Sequence, residues 1–157
     1  MKERLEYRRK LMERLSKAAK EFRAACLTVK DPFAPLDDGW NMHQIAVHTR
    51  DVDKLVYGLR VRRTAAEDNP EFPNFDGDVY LAENYDASES LDDLLNGFVQ
   101  SIGALVELLQ TLPAEAWARV SRHTTLGNGL TLQTWVEKNL AHIEEHLETV
   151  QKQKVNL

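Results

Sequence analysis

The sequence predicts an all-α fold, a four-helix bundle with long inter-helix connections. Three observations carry that expectation. Four segments repeat apolar residues at intervals of three, four and seven, which puts one apolar stripe on each helix. No segment shows a convincing strand alternation. At 157 residues the chain suits one domain, since domains cluster near ~100–150 residues. Four such stripes find burial most simply against one another, so a single bundle domain over residues 1–157 is expected.

The first helix is expected over about 2–28, with Leu5, Met12, Leu15, Ala19, Phe22 and Cys26 on its stripe. Asp31-Pro32 and Ala34-Pro35 end it, because proline cannot continue the hydrogen-bond ladder. The second covers about 42–66, with Ile45, His48, Val52, Leu55, Val56 and Leu59 on its stripe. Asn41 followed three residues later by Gln44 has capping-box spacing. A connection of about 18 residues, Asp68 to Asp86, shows no clear period. Loops of that length in compact domains are functional or disordered, and Phe72, Phe75, Tyr80 and Tyr85 supply anchors against disorder. The third helix covers about 88–111, capped by Ser88 or Ser90, with Leu91, Leu94, Leu95, Phe98, Ile102, Leu105, Val106 and Leu109 inward. Leu112 to Trp117 reads as a short helical turn with Pro113 near its start. Gly127-Asn128-Gly129 reads as a tight turn, compatible with a small hairpin. The fourth helix covers about 131–153, capped by Thr131, with Leu132, Trp135, Val136, Leu140, Ile143, Leu147 and Val150 inward.

Composition narrows the function classes. A lone cysteine, Cys26, excludes an internal disulfide framework and a Cys-cluster metal site. It falls on the first helix's stripe, which makes it a core thiol rather than a nucleophile. No run of ~18 apolar residues exists, so no transmembrane helix and no membrane partner is expected. The opening Met1-Lys2-Glu3-Arg4 leads into no apolar h-region, so no signal peptide is expected and a reducing cytoplasm is the expected setting. Residues 1–30 carry 10 Lys and Arg against 4 acids, whereas residues 64–118 carry 12 acids and no Lys or Arg. That asymmetry predicts that the first helix packs beside the third. The remaining negative charge would repel a polyanion, so nucleic acid is not an expected partner.

The chemistry lies in the histidines. His142 and His146 stand at i and i+4, so their rings leave one helix face about a turn apart, on the flank of the stripe beside Trp135. His48 lies inside the second helix's stripe. Three imidazoles from two helices are thus placed to meet in the interior, where bundles build metal sites. Imidazole is the commonest protein metal ligand, and three ligands with an open position make a catalytic type of site. The same spacing also fits hydrogen-bonded core histidines. His43, in a helix's first turn, reads as surface or capping chemistry, and His123 as a loop residue. His142 to His146 also fits H-x-x-E-H, the inverted zinc-protease pattern. Helical geometry turns Glu145 to the polar face, away from both histidines, which argues against a protease.

Taken in order, Trp40-Asn41-Met42-His43-Gln44-Ile45-Ala46-Val47-His48, then Asn69-Pro70 with Phe72 to Asp78, then Leu112-Pro113 and Trp117, then Gly129 to Leu132 leading into Ala141-His142-Ile143-Glu144-Glu145-His146, resemble the DinB/YfiT-like superfamily of small four-helix metalloenzymes. The resemblance runs from about residue 5 to 152. It implies that His48, His142 and His146 hold one divalent ion, zinc or nickel. It also implies a small-molecule substrate, S-transfer or isomerisation with a low-molecular-weight thiol, and a homodimer. Metal binding without turnover and metal-dependent hydrolysis are the alternatives. The 68–86 connection would border the pocket, with Tyr57, Arg60 and Tyr85 as candidate substrate contacts.

Overall fold

A computed structural model describes residues 1–37 and 39–155. Asp38, Asn156 and Leu157, which the single-domain expectation takes in, lie outside the described residues. The bundle is built from α1 (Lys2–Leu27), a rod formed by α2 (Met42–Val52), a π-helical turn (Asp53–Tyr57) and α3 (Gly58–Ala66), then α5 (Leu91–Thr111) and α6 (Leu132–Val155), with a short α4 (Gly77–Asn84) between α3 and α5. Among the described residues no helix is long and apolar enough to cross a membrane.

The expected caps form where the side chains allow. Gln44 N–H donates to Asn41 Oδ1 at 2.8 Å and Asn41 N–H donates to Gln44 Oε1 at 2.9 Å. This reciprocal box satisfies two otherwise orphaned donors. Ser90 rather than Ser88 caps α5, since the Ser88 hydroxyl is committed to Asp86. Thr131 Oγ1 accepts from Thr134 N–H at 3.1 Å to open α6.

The rod is where a regular helical period misleads. A π turn holds one more residue than an α turn, so the buried face advances by one position beyond it. Leu59, expected inward, is 40% exposed, while Arg60 and Val61 take the core positions and Asp53 is buried in the turn itself. On α1, Leu5 is likewise exposed and Leu11 occupies the core instead. Elsewhere the stripes close as expected around Trp135, Phe22, Phe98 and Phe72. Cys26 is fully buried, and burial pushes its thiol up to about 12.

Helix α1 packs against both α5 and α6. The neighbour foreseen from charge is therefore correct, but the contact is not ionic: Phe22 meets Phe98 edge to face at 5.7 Å, and Arg23 Nε–H donates to the neutral Asn96 Oδ1 at 2.8 Å. Among the described residues no ion pair joins α1 to α5. Arg9 and Lys17 pair within α1, and Arg14 reaches Glu144 on α6 at 2.8 Å.

The connections are more ordered than their sequence suggests. β1 (Glu71–Phe72) runs parallel to β2 (Val120–His123), which pairs antiparallel with β3 (Gly127–Thr131). Strands this short carry too few residues for an alternation to show. The hairpin turns at Thr124 to Leu126, and Gly127-Asn128-Gly129 lies on β3, with positive φ at both glycines. The short helical turn expected over Leu112 to Trp117 is a 3-10 turn at Ala114–Ala118. Inside the long connection, Asp76 Oδ1 accepts from Asp78 and Val79 N–H, both at 3.1 Å, and starts α4. Only Leu81 of α4 is buried, so no amphipathic period announces this helix.

Candidate metal centre

His48 is carried by α2, and His142 and His146 by α6. The capping box fixes where α2 starts, and Ile45 and Val52 anchor the stripe on either side of His48. Val136, Leu140, Ile143 and Leu147 do the same around the α6 pair. All three rings are partly buried. One ring nitrogen from each lies within 4.8 Å of the other two. His142 Nε2 is 3.1 Å from His48 Nε2 and 3.0 Å from His146 Nε2.

Hydrogen bonding alone does not account for that convergence. A neutral ring nitrogen carries either one proton or one lone pair. His142 Nε2 can therefore form one good hydrogen bond here, not two, while His142 Nδ1 is buried with no partner among the described residues. A cation accepting all three lone pairs removes the conflict. Tetrahedral zinc with bonds of ~2.0–2.1 Å sets nitrogens about 3.3 Å apart, close to the spacing already present. Two of the three donors also arrive deprotonated. Burial, reinforced by the other histidines, holds His48 down to about 4 and His142 down to about 3. The residues fit a divalent ion.

The surroundings come from three segments. The Trp40 ring is 4.9 Å from that of His48. The Tyr57 ring, on the π turn, is 5.8 Å from that of His142. Gly77, first residue of α4, approaches so closely that a Cβ there would sit 2.7 Å from His48 Cε1. The long connection therefore does border the site. Glu145 is exposed on the opposite face of α6 from the core, as the helical argument against a protease required.

The other expected site residues lie outside the histidine cluster itself. Arg60 is buried one turn beyond Tyr57, its guanidinium 4.7 Å from the Trp135 ring centre. The Tyr85 hydroxyl donates to His43 Nδ1 at 2.7 Å, and His43 Nε2–H donates to the Glu89 carbonyl at 2.8 Å. His43 is thus no surface residue; it is 1% exposed and ties α2 to the segment leading into α5. Phe33, with its ring 4.9 Å away, covers it. His123, read as a loop residue, is buried on β2, and its Nδ1 accepts from Thr125 and Leu126 N–H, both at 3.1 Å. That role closes the hairpin and leaves the ring outside the three-histidine cluster.

The sequence reading missed a polar knot in the bundle. Asp53 Oδ1 accepts from Asn139 Nδ2 at 3.0 Å, and Asp53 Oδ2 accepts from the Ser101 hydroxyl at 3.0 Å. Burial raises the Asp53 carboxyl, and these two bonds oppose the rise. The knot joins the π turn to α5 and α6, and Asn139 precedes His142 by three on α6. An asparagine set between Val136, Leu140 and Ile143 was the available signal.

The comparisons agree with this geometry. No curated protein matches the chain. Among solved structures, YfiT from Bacillus subtilis superposes with a TM-score of 0.83 at 20% identity, covering 94% of this chain and 85% of that one. It is described as a probable metal-dependent hydrolase with an unusual four-helix bundle topology. The DinB superfamily profile matches residues 9–150. With its bundle and three converging histidines, this chain belongs to the DinB superfamily.

Proposed function

We propose that the chain is a divalent-metal-dependent enzyme that joins a low-molecular-weight thiol to an electrophile, forming an S–C bond and releasing the leaving group and the thiol's proton, or isomerises a substrate with the same thiol. The carrying observation is the convergence of the three imidazoles on His142 Nε2, which lies within 3.1 Å of both other Nε2 atoms although it can form only one good hydrogen bond to them. His48, His142 and His146 would hold the ion, zinc or nickel. When bound, such an ion supplies Lewis acidity that favours the anionic form of a thiol or water beside it.

The protein's own part is to keep three ligands neutral, so that no protein charge offsets the cation. The low values at His48 and His142 serve that end. Trp40, Tyr57 and the Gly77 backbone wall the site and restrict water. Cys26 is buried with its thiol held protonated, so the sulfur comes from a cosubstrate. A homodimer and a cytoplasmic setting belong to the same reading.

Hydrolysis is the second reading, supported by the description of the YfiT structure. One experiment separates the readings. Metal-loaded protein is incubated with low-molecular-weight thiols and a chromogenic electrophile, and in parallel with activated esters without thiol, each against His146→Ala. Thiol-dependent turnover lost in the variant supports transfer. Thiol-independent ester cleavage lost in the variant moves the assignment to hydrolase. No metal-dependent rate in either arm leaves a metal binder without turnover.

A further inference from the structure

Arg60 is 6% exposed, and a buried cation is costly unless a counter-charge or several acceptors meet it. Its neighbours do not supply a counter-charge. Among the described residues its only hydrogen bond is from Nη2–H to the Pro73 carbonyl at 3.0 Å. Its faces rest on Trp135 and Phe72, at 4.7 and 5.6 Å from the ring centres. Cation–π contact offsets part of the desolvation, but it leaves the charge without a carboxylate partner, and the remaining guanidinium nitrogens, which are not sealed from solvent, have no protein acceptor among the described residues.

Other arginines show what satisfaction looks like in this protein. Arg63, stacked on the same Phe72 ring, pairs with Glu67 through two bonds of 2.7 and 3.0 Å. Arg50 is held by Asp51 and Glu89. Arg8, also buried without a carboxylate, has two neutral acceptors, Gln133 Oε1 and the Ala114 carbonyl. Arg60 has one.

Its position gives the vacancy a meaning. Tyr57 lies one turn before Arg60, with its ring 5.8 Å from that of His142 and 6.4 Å from that of Trp135. Arg60 is therefore linked to the three-histidine cluster through three contacts, its guanidinium on Trp135, Trp135 beside Tyr57, and Tyr57 beside His142. His123, within electrostatic range of Arg60, is lowered by burial first and then by Arg60. It supplies no negative charge.

We propose that Arg60, with the Tyr57 hydroxyl beside it, anchors a carboxylate of the substrate next to the three-histidine centre. A guanidinium edge matches a planar carboxylate bidentately, and the aromatic floor of Trp135 and Phe72 fixes the plane in which the fork lies. The substrate class is thus a small molecule bearing a carboxylate within reach of its reacting atom. The proposal rests on the functional reading above only for what lies at the other end of the substrate.

The test uses the metal-free protein, so that it fails or succeeds apart from metal binding. Acetate, butyrate and succinate, and the corresponding amides, are titrated while the Arg60 Nε–H and Trp135 indole resonances are followed by NMR. Saturable shifts with carboxylates, at an affinity about tenfold or more above that of the amides, support the anchor. Arg60→Gln, which keeps a donor for the Pro73 carbonyl, and Arg60→Met, which keeps the packing, should bring acids and amides to parity. Circular dichroism identifies any variant that does not fold, and the wild-type acid-to-amide comparison stands without either. Absence of a carboxylate-selective shift in the wild type, or its persistence in a folded variant, overturns the proposal.

Discussion

Gly77 and His48 are in contact across the gap between α4 and α2, with no room for a methyl group between backbone and ring: a Cβ at Gly77 would meet His48 Cε1 at 2.7 Å. Gly77 has a negative φ, so its glycine is required by space and not by backbone conformation. The α4 terminus therefore acts as a stop that sets the His48 ring against His142.

Gly77→Ala tests the stop. The added methyl should displace the His48 ring and weaken zinc affinity by about 10–100-fold, the range found when groups orienting a ligand are lost. Stability should fall by no more than about 1–3 kcal/mol, the ordinary cost of overpacking. Calorimetric zinc titration beside urea denaturation reads both. Unchanged affinity in the variant would show that α4 merely covers the site.

The polar knot predicts an asymmetry. Asn139→Ala removes a donor from a buried carboxylate and should cost roughly 1–3 kcal/mol, because Asp53 is left partly unsatisfied. Asp53→Asn removes the desolvation burden that raises this carboxyl, and should cost less. Chemical denaturation of both variants checks the order, and the reverse order would contradict it.

Stability of the metal-free protein should fall with acidification. Unfolded histidines take up protons near pH 6.5, whereas folded His48 and His142 resist until about 4 and about 3. Between pH 6.5 and 4 the unfolded chain binds more protons, so stability drops as pH falls, by up to about 1.4 kcal/mol per pH unit for each histidine. Partial exposure of both rings trims that slope. Denaturation midpoints between pH 7.5 and 4.5 measure it, and a double variant, His48→Gln with His142→Gln, should be flatter. A wild-type curve no steeper than the double variant's would refute the assignment.

These residues also show how far sequence carries. His142 and His146 were legible because i, i+4 spacing survives on an uninterrupted helix, and His48 because it precedes the π turn. Past that turn the period slips by one, so Leu59 was placed inward although it is exposed, and Arg60 gave no sign of being core. His43 and His123 are misread because their burial depends on segments distant in the chain, the 85–89 stretch for His43 and, for His123, strand β1, where Phe72 is its register partner. The three short strands and α4 carry too little apolar pattern to be seen before they pack.

The three-histidine centre is tested most directly by stoichiometric metal titration. Purified apoprotein is titrated with zinc or nickel by calorimetry, with elemental analysis of the product, in the wild type and in His48→Ala, His142→Ala, His146→Ala and His123→Ala. The account predicts one tightly held ion per chain in the wild type and in His123→Ala, and loss of that ion in each of the other three. Negligible binding by the wild type, or a full equivalent retained by His142→Ala, would contradict it.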